Sequence, residues 1–180
     1  MNSKDAKGLS VIAIADGKKV GSVDHLYVDL TARKVVGFGA SEGGGFLSRH
    51  SGGEELIDAK DVHSVGPDAL TLKDLGAVDG SRTSAHEDEL VHGDDLNGRK
   101  VVTESGTEMG DVASFEFDPN SFDISAVEVS PGLFKSHRMV NMADVLTIGD
   151  DALVVHNSVE RDVHDPGEAG RFVVGDVEPK

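Results

Sequence analysis

The sequence predicts an all-β fold: two small, partly open antiparallel barrels in tandem, each with a short helical turn, docked against each other. Three observations predict it. The stretch KVGSVDHLYVD at residues 19–29 returns 89 residues later as EMGDVASFEFD at residues 108–118. The block LIDAKDVHSVGPDALTL at residues 56–72 returns as MVNMADVLTIGDDALVV at residues 139–155, with six identities in seventeen ungapped positions. Within both copies the apolar residues recur at a period near two, the strand period, between turn-forming Gly, Asp and Pro. A repeat of about 60–70 residues hides only about 60% of the surface its unfolded chain exposes, so the two copies are expected to pack together about a pseudo-twofold axis.

Residues 1–7 are polar and read as a loosely ordered start. Residues 9–14, LSVIAI, are β-branched and apolar and suit a first strand; Asp16 and Gly17 then turn the chain. In the repeated stretch the apolar positions are Val23, Leu26 and Val28, and Val112, Phe115 and Phe117. A step of three followed by a step of two requires one extra residue if all three are to face inward, which is a β-bulge. Gly21 and Gly110 would supply backbone freedom at the entry to a curved strand.

Residues 30–40 and 119–129 continue the pattern as the second arm of a hairpin. Thr31 to Arg33 and Asn120 to Phe122 take the turn, and Pro119 sits at a strand end where its missing N–H costs little. Val36, Phe38 and Ala40, matched by Ser125, Val127 and Val129, are expected to face inward, with Gly39 and Glu128 outward. The copies then differ in length: GFLSRH at 45–50 matches GLFKSH at 132–137 before the closing block begins. That block reads as a short strand, a one-turn helix near residues 59–62 or 142–145, and a hairpin at Gly66-Pro67 or Gly149-Asp150. The resulting division is a first barrel over residues 1–75, an acidic linker over 76–94 with a helical turn near 86–91, a second barrel over 95–157, and a polar tail over 158–180. In the tail, RFVV at residues 171–174 reads equally as a docked edge strand or as frayed chain.

Composition narrows the chemistry. There is no Cys, so disulfides, thiolate metal sites and cysteine nucleophiles are excluded. The polar start lacks the apolar core of a signal peptide, and no apolar run approaches the roughly 20 residues of a membrane span, so a cytoplasmic protein is expected. Net charge is −16, with residues 1–75 near balance at −2 and the acidic excess carried by the remainder. Such a surface repels phosphate backbones, and a nucleic-acid partner is not expected without a basic patch.

The order of features in each copy is an opening strand with a Gly turn, a G-x-V bulged strand ending in Asp, a hairpin, and a closing D-V-x-x-(V/I)-G-x-D-A-L element. This order resembles the PRC-barrel domain, found in the H subunit of the photosynthetic reaction centre and similar to the C-terminal domain of a ribosome-maturation factor. The resemblance covers about residues 6–74 and 95–156. It implies a partner-binding role of the kind associated with free-standing tandem barrels. Neither the N-terminal domain of the maturation factor nor the membrane helix of the H subunit is expected, and ribosome or RNA association remains the alternative the resemblance suggests.

Candidate site residues follow from this frame. Ser48-Arg49-His50 corresponds to Lys135-Ser136-His137-Arg138, so Arg49, His50, Lys135, His137 and Arg138 form a candidate basic contact surface presented twice. Asp29 and Asp118 end the repeated strand, where a carboxylate accepts hydrogen bonds from turn amides. Asp61 and Asp144 read as local caps or turn formers. His86, Glu87, Asp88, Glu89, His92 and Asp94 cluster in the linker, where solvated charge explains them better than a metal does. No P-loop, dinucleotide fingerprint, zinc-protease motif or nucleophile elbow is present. No catalytic residue, cofactor or metal is therefore expected; the partner is expected to be another protein, and self-association is compatible with the sequence.

Overall fold

A computed structural model of the chain describes residues 1–41, 55–77, 90–132 and 136–161. The first repeat supplies β1 (Ser10–Ala13), β2 (Lys18–Asp29), β3 (Lys34–Ser41), β4 (Glu55–Asp58), β5 (Val62–Val65) and β6 (Ala69–Leu72). β7 (Leu90–His92) follows, and the second repeat supplies β8 (Lys100–Thr103), β9 (Glu108–Phe117), β10 (Ile124–Ser130), β11 (Arg138–Asn141), β12 (Val145–Ile148) and β13 (Ala152–Val155). The strand order β4-β3-β2-β1-β6-β5 is repeated as β11-β10-β9-β8-β13-β12. All pairings are antiparallel except β1 with β6 and β8 with β13. One-turn 3-10 helices, Ala59–Asp61 and Met142–Asp144, make the corner between β4 and β5 and between β11 and β12.

The bulge expected in the repeated stretch is present in both copies. Val23 pairs with Ala40 and His25 with Gly39, leaving Asp24 over; Val112 pairs with Val129 and Ser114 with Glu128, leaving Ala113 over. Val23, Leu26, Val28, Val112, Phe115 and Phe117 are accordingly all buried. A second bulge falls on the partner strand and corrects the inward set. Val28 pairs with Val35 and Tyr27 with Gly37, so Val36 is the extra residue; Ser125 is its counterpart in β10. Val35 and Ile124 therefore face the core in place of Val36 and Ser125, because one extra residue reverses the alternation. Gly39, expected outward, is buried between its strand neighbours His25 and Leu56.

The two sheets share one hydrophobic cluster. Phe38 of β3 is fully buried, with its ring 6.5 Å from Phe117 and 5.9 Å from Phe122 of the other repeat. Burying a Phe side chain contributes roughly 1.5–3 kcal/mol, so a ring shared across the junction couples the stability of one repeat to the other.

Two polar segments turn out to be the arms by which the repeats hold each other. Residues 1–7 are ordered: Asn2 caps a single helical turn, Ser3–Ala6, by accepting from Lys4 N at 2.9 Å. This arm lies on β9, where Asn2 bridges Glu116 and Phe117 N donates to Met1 O at 3.0 Å. Reciprocally, β7 lies on β2 with Tyr27 opposite His92 and Val28 opposite Val91, and the 3-10 helix Gly93–Leu96 follows. A shift of 90 residues carries one arm onto the other, and Ala6 and Leu96 are buried at equivalent positions. The stretch expected as a helical turn near residues 86–91 thus ends in a strand, and the end of the expected linker belongs to the first sheet. The physical reason is that the long strands β2 and β9 outrun β1 and β8, leaving edge amides and carbonyls that each arm satisfies.

The hairpin tips complete the exchange. Arg33 and Phe122 both adopt left-handed backbone, φ 55° and 62°, which costs a bulky residue of order 1–3 kcal/mol. Their carbonyls are held across the junction: Val35 N donates to Phe122 O and Ile124 N to Arg33 O, both at 2.9 Å. Residues 171–174 lie outside the described residues; the last described element is the helical turn Ser158–Arg161.

Candidate partner-binding surface

Of the candidate contact residues, Arg49, His50 and Lys135 lie outside the described residues, and His137 and Arg138 are described. The structure gives these two different neighbours. His137 Nδ1 lies 2.8 Å from Glu128 Oε1 in β10. Glu128 is the hub of a chain of bonds that leads to the first arm: the buried Ser114 donates to Glu128 Oε2 at 2.5 Å, and Asn2 Nδ2 donates to Ser114 Oγ at 3.0 Å. Lys4 Nζ adds an ion pair to the same carboxylate at 3.7 Å. The Ser114 hydroxyl and then His137 hold the Glu128 carboxyl below its ordinary range, against the opposing effect of burial. Arg138 opens β11 opposite Val129 and has no ion pair among the described residues.

The structural repeat positions serve geometry. Asp29 Oδ1 accepts from Ala32 N at 2.8 Å, and Asp118 Oδ1 accepts from Asn120 N at 2.7 Å and Ser121 N at 2.9 Å. Those amides, Ser121 first, hold the Asp118 carboxyl below the usual value. A Cβ at Gly21 would strike the Ser41 carbonyl, and one at Gly110 the Ser130 carbonyl; only Gly110 also has a positive φ, +132°. Close approach of two strands, more than turning freedom, is what both positions require. Of the two readings, cap and turn former, the structure puts Asp61 and Asp144 in the turn. They are the last residues of their 3-10 helices, whereas a cap precedes the first turn; the side chain that caps the first is Asp58, accepting from Lys60 N at 3.2 Å. Asp144 contributes its backbone carbonyl, which accepts from His156 N at 2.9 Å.

In the expected histidine and carboxylate cluster, residues 86–89 lie outside the described residues. His92 packs against Tyr27 and His25, with ring centroids 4.6 and 5.5 Å apart. Asp94 receives the Lys7 ammonium on both oxygens at 2.5 Å. Burial raises the Asp94 carboxyl, and the bond and charge of Lys7, joined by those of His25, overcome this and leave it lowered. Among the described residues, no group of three or more His, Cys, Asp or Glu side chains is disposed to hold a metal. A polar cleft of about 410 Å³ lies on the first repeat beside the 3-10 helix Ala59–Asp61, where Lys60, His63 and Lys73 alternate with Asp61 and Asp74.

Sequence reasoning did not find Asn2, Ser114 and Glu128 as a connected set. Ser114 follows the bulge residue Ala113, and its partner Asn2 is 112 positions away, so only a map of the arm could join them.

Two sheets with one strand plan, repeated bulges and 3-10 corners define a scaffold class. The PRC-barrel domain model matches residues 1–78 and again residues 88–161, and the chain belongs to the PRC-barrel family with two copies in tandem. Both matches include the arms. No curated protein matches the chain.

Proposed function

We propose that this chain is a non-enzymatic protein-binding module, an adaptor working in the cytoplasm, whose partner contacts the basic segment at residues 135–138 and its counterpart at 48–50. The observation that carries this reading is Arg138: a cation without an ion pair among the described residues, at the edge of a rigid sheet, on a chain of net charge −16. A local reversal of charge sign on a sheet edge favours selective docking of an acidic surface over general adhesion. No helix of the described residues is long and apolar enough to cross a membrane.

Affinity capture with the whole tagged chain from its native cytoplasmic extract tests the reading. One protein partner should be enriched, and Arg49→Glu combined with Arg138→Glu should abolish the enrichment. Enrichment of ribosomal subunits or RNA, falling steeply with salt, would replace the reading with ribosome association. Enrichment of nothing would remove it.

A further inference from the structure

The two sheets end in equivalent strands, β4 and β11, and the two edges differ in chemistry. β4 reads Glu-Leu-Ile-Asp, and its Asp58 is occupied by Lys60 at 2.5 Å as well as by the cap. The Asp58 carboxylate disfavours pairing of this edge with an acidic strand. β11 reads Arg-Met-Val-Asn and carries no carboxylate. Asn141 makes no side-chain cap bond, and Met139 is 48% exposed, one of three large apolar residues so exposed among those described. β11 pairs with β10 on one side, and no described strand pairs with its other side. Arg138 opens the strand and His137 precedes it, and Glu128 of the paired strand β10 is already shared by Ser114, His137 and Lys4.

We propose that the free edge of β11 is a strand-addition site for an extended acidic peptide segment of a protein partner. The inference rests on the protein-binding reading above and names the chemistry of its partner. Main-chain pairing along residues 138–141 supplies the registration, as in other cases where a peptide adds to a sheet edge. A carboxylate beside Arg138 supplies the charge complement, and an apolar side chain covers Met139. The strand is four residues long, so affinity from the edge alone is modest, in the range of about 0.1–1 mM.

The test titrates the full, isotope-labelled chain with a blocked peptide of alternating Glu and Val, a matching peptide of alternating Lys and Val, and a mixed-sequence single-stranded RNA. The acidic peptide is expected to shift the backbone amides of residues 138–141 and slow their hydrogen exchange. Arg138→Glu should weaken the effect about tenfold or more, with the rest of the spectrum unchanged, and Met139→Lys should weaken it less. β11 amides that stay silent up to about 1 mM acidic peptide would overturn the proposal. So would shifts confined to β4 or the arms, an equal response to the Lys peptide or the RNA, or indifference to Arg138→Glu. The adaptor reading fails separately, when capture by the native chain enriches nothing. A captured protein that still binds the Arg138→Glu, Met139→Lys chain would preserve the adaptor and eliminate the edge site.

Discussion

The arm of residues 1–6 meets the second sheet through an amide, a hydroxyl and a carboxylate that also pairs with Lys4, whereas the arm of residues 91–96 meets the first through packed rings and an ion pair. Asn2, Ser114 and Glu128 form the first contact; His92, His25, Tyr27, Asp94 and Lys7 form the second. Yet the backbone does the same thing in both, since Asn2 stands opposite Glu116 as His92 stands opposite Tyr27. The hairpin tips repeat the lesson. The Arg33 guanidinium donates to the Met142 and Val145 carbonyls, both at 2.8 Å, while Phe122 at the equivalent place buries a ring against Phe38. Main-chain pairing fixes the exchange between repeats, and side chains have diverged within it.

This comparison can be broken first at the strand crossings. Gly110→Ala should cost about 3 kcal/mol or more in denaturant unfolding, because overpacking against Ser130 adds to a backbone conformation that Ala resists. Gly21→Ala should cost less, about 1–3 kcal/mol, since it has the collision without the positive φ. Equal losses would show that the two crossings are under the same constraint.

The hairpin tips give the next effect. Arg33→Ala removes two hydrogen bonds from a charged donor and should destabilise the chain by about 1.5–3 kcal/mol. Arg33→Lys should recover little, because an ammonium cannot span two carbonyls as a planar fork does. Full recovery by Lys would mean that charge alone matters there.

The smallest effect separates the arm contacts by pH. The folded Glu128 carboxyl is lowered below its ordinary value of 4.5, so its contribution is complete above that value and is lost as pH falls through the lower folded value. Glu128→Gln should therefore cost about 1 kcal/mol or less at pH 7, a deficit that shrinks as pH falls below 4.5 and disappears once the folded carboxyl is protonated, where the two chains converge. A deficit that persists at low pH would point to a steric role for the carboxylate side chain.

Much of the strand plan was legible because burial imposes a period: Val23, Leu26 and Val28 reveal their own bulge by a step of three. Val36 could not be read so, since its bulge is defined by pairing with β2 and leaves an apolar residue at an ordinary alternation. The arms were illegible for a different reason. Under their 90-residue shift only Asp5 and Asp95 agree, and a segment recruited by edge amides needs no apolar pattern to announce it. In the candidate surface, the correspondence of His137-Arg138 with Arg49-His50 was visible as composition. The bond from His137 to Glu128 was not, because cross-strand neighbours follow from register.

The central claim is that exchanged arms, a shared Phe38 cluster and reciprocal hairpin bonds make the two barrels one folding unit. Native-state hydrogen exchange tests it most directly, by comparing the amides of Leu26 and Val28 with those of Phe115 and Phe117 at equivalent core positions. The account predicts a common opening free energy for both sets, equal to that of a single unfolding transition of the whole chain. Opening free energies that differ by about 2 kcal/mol or more, with one barrel exchanging while the other stays protected, would contradict it.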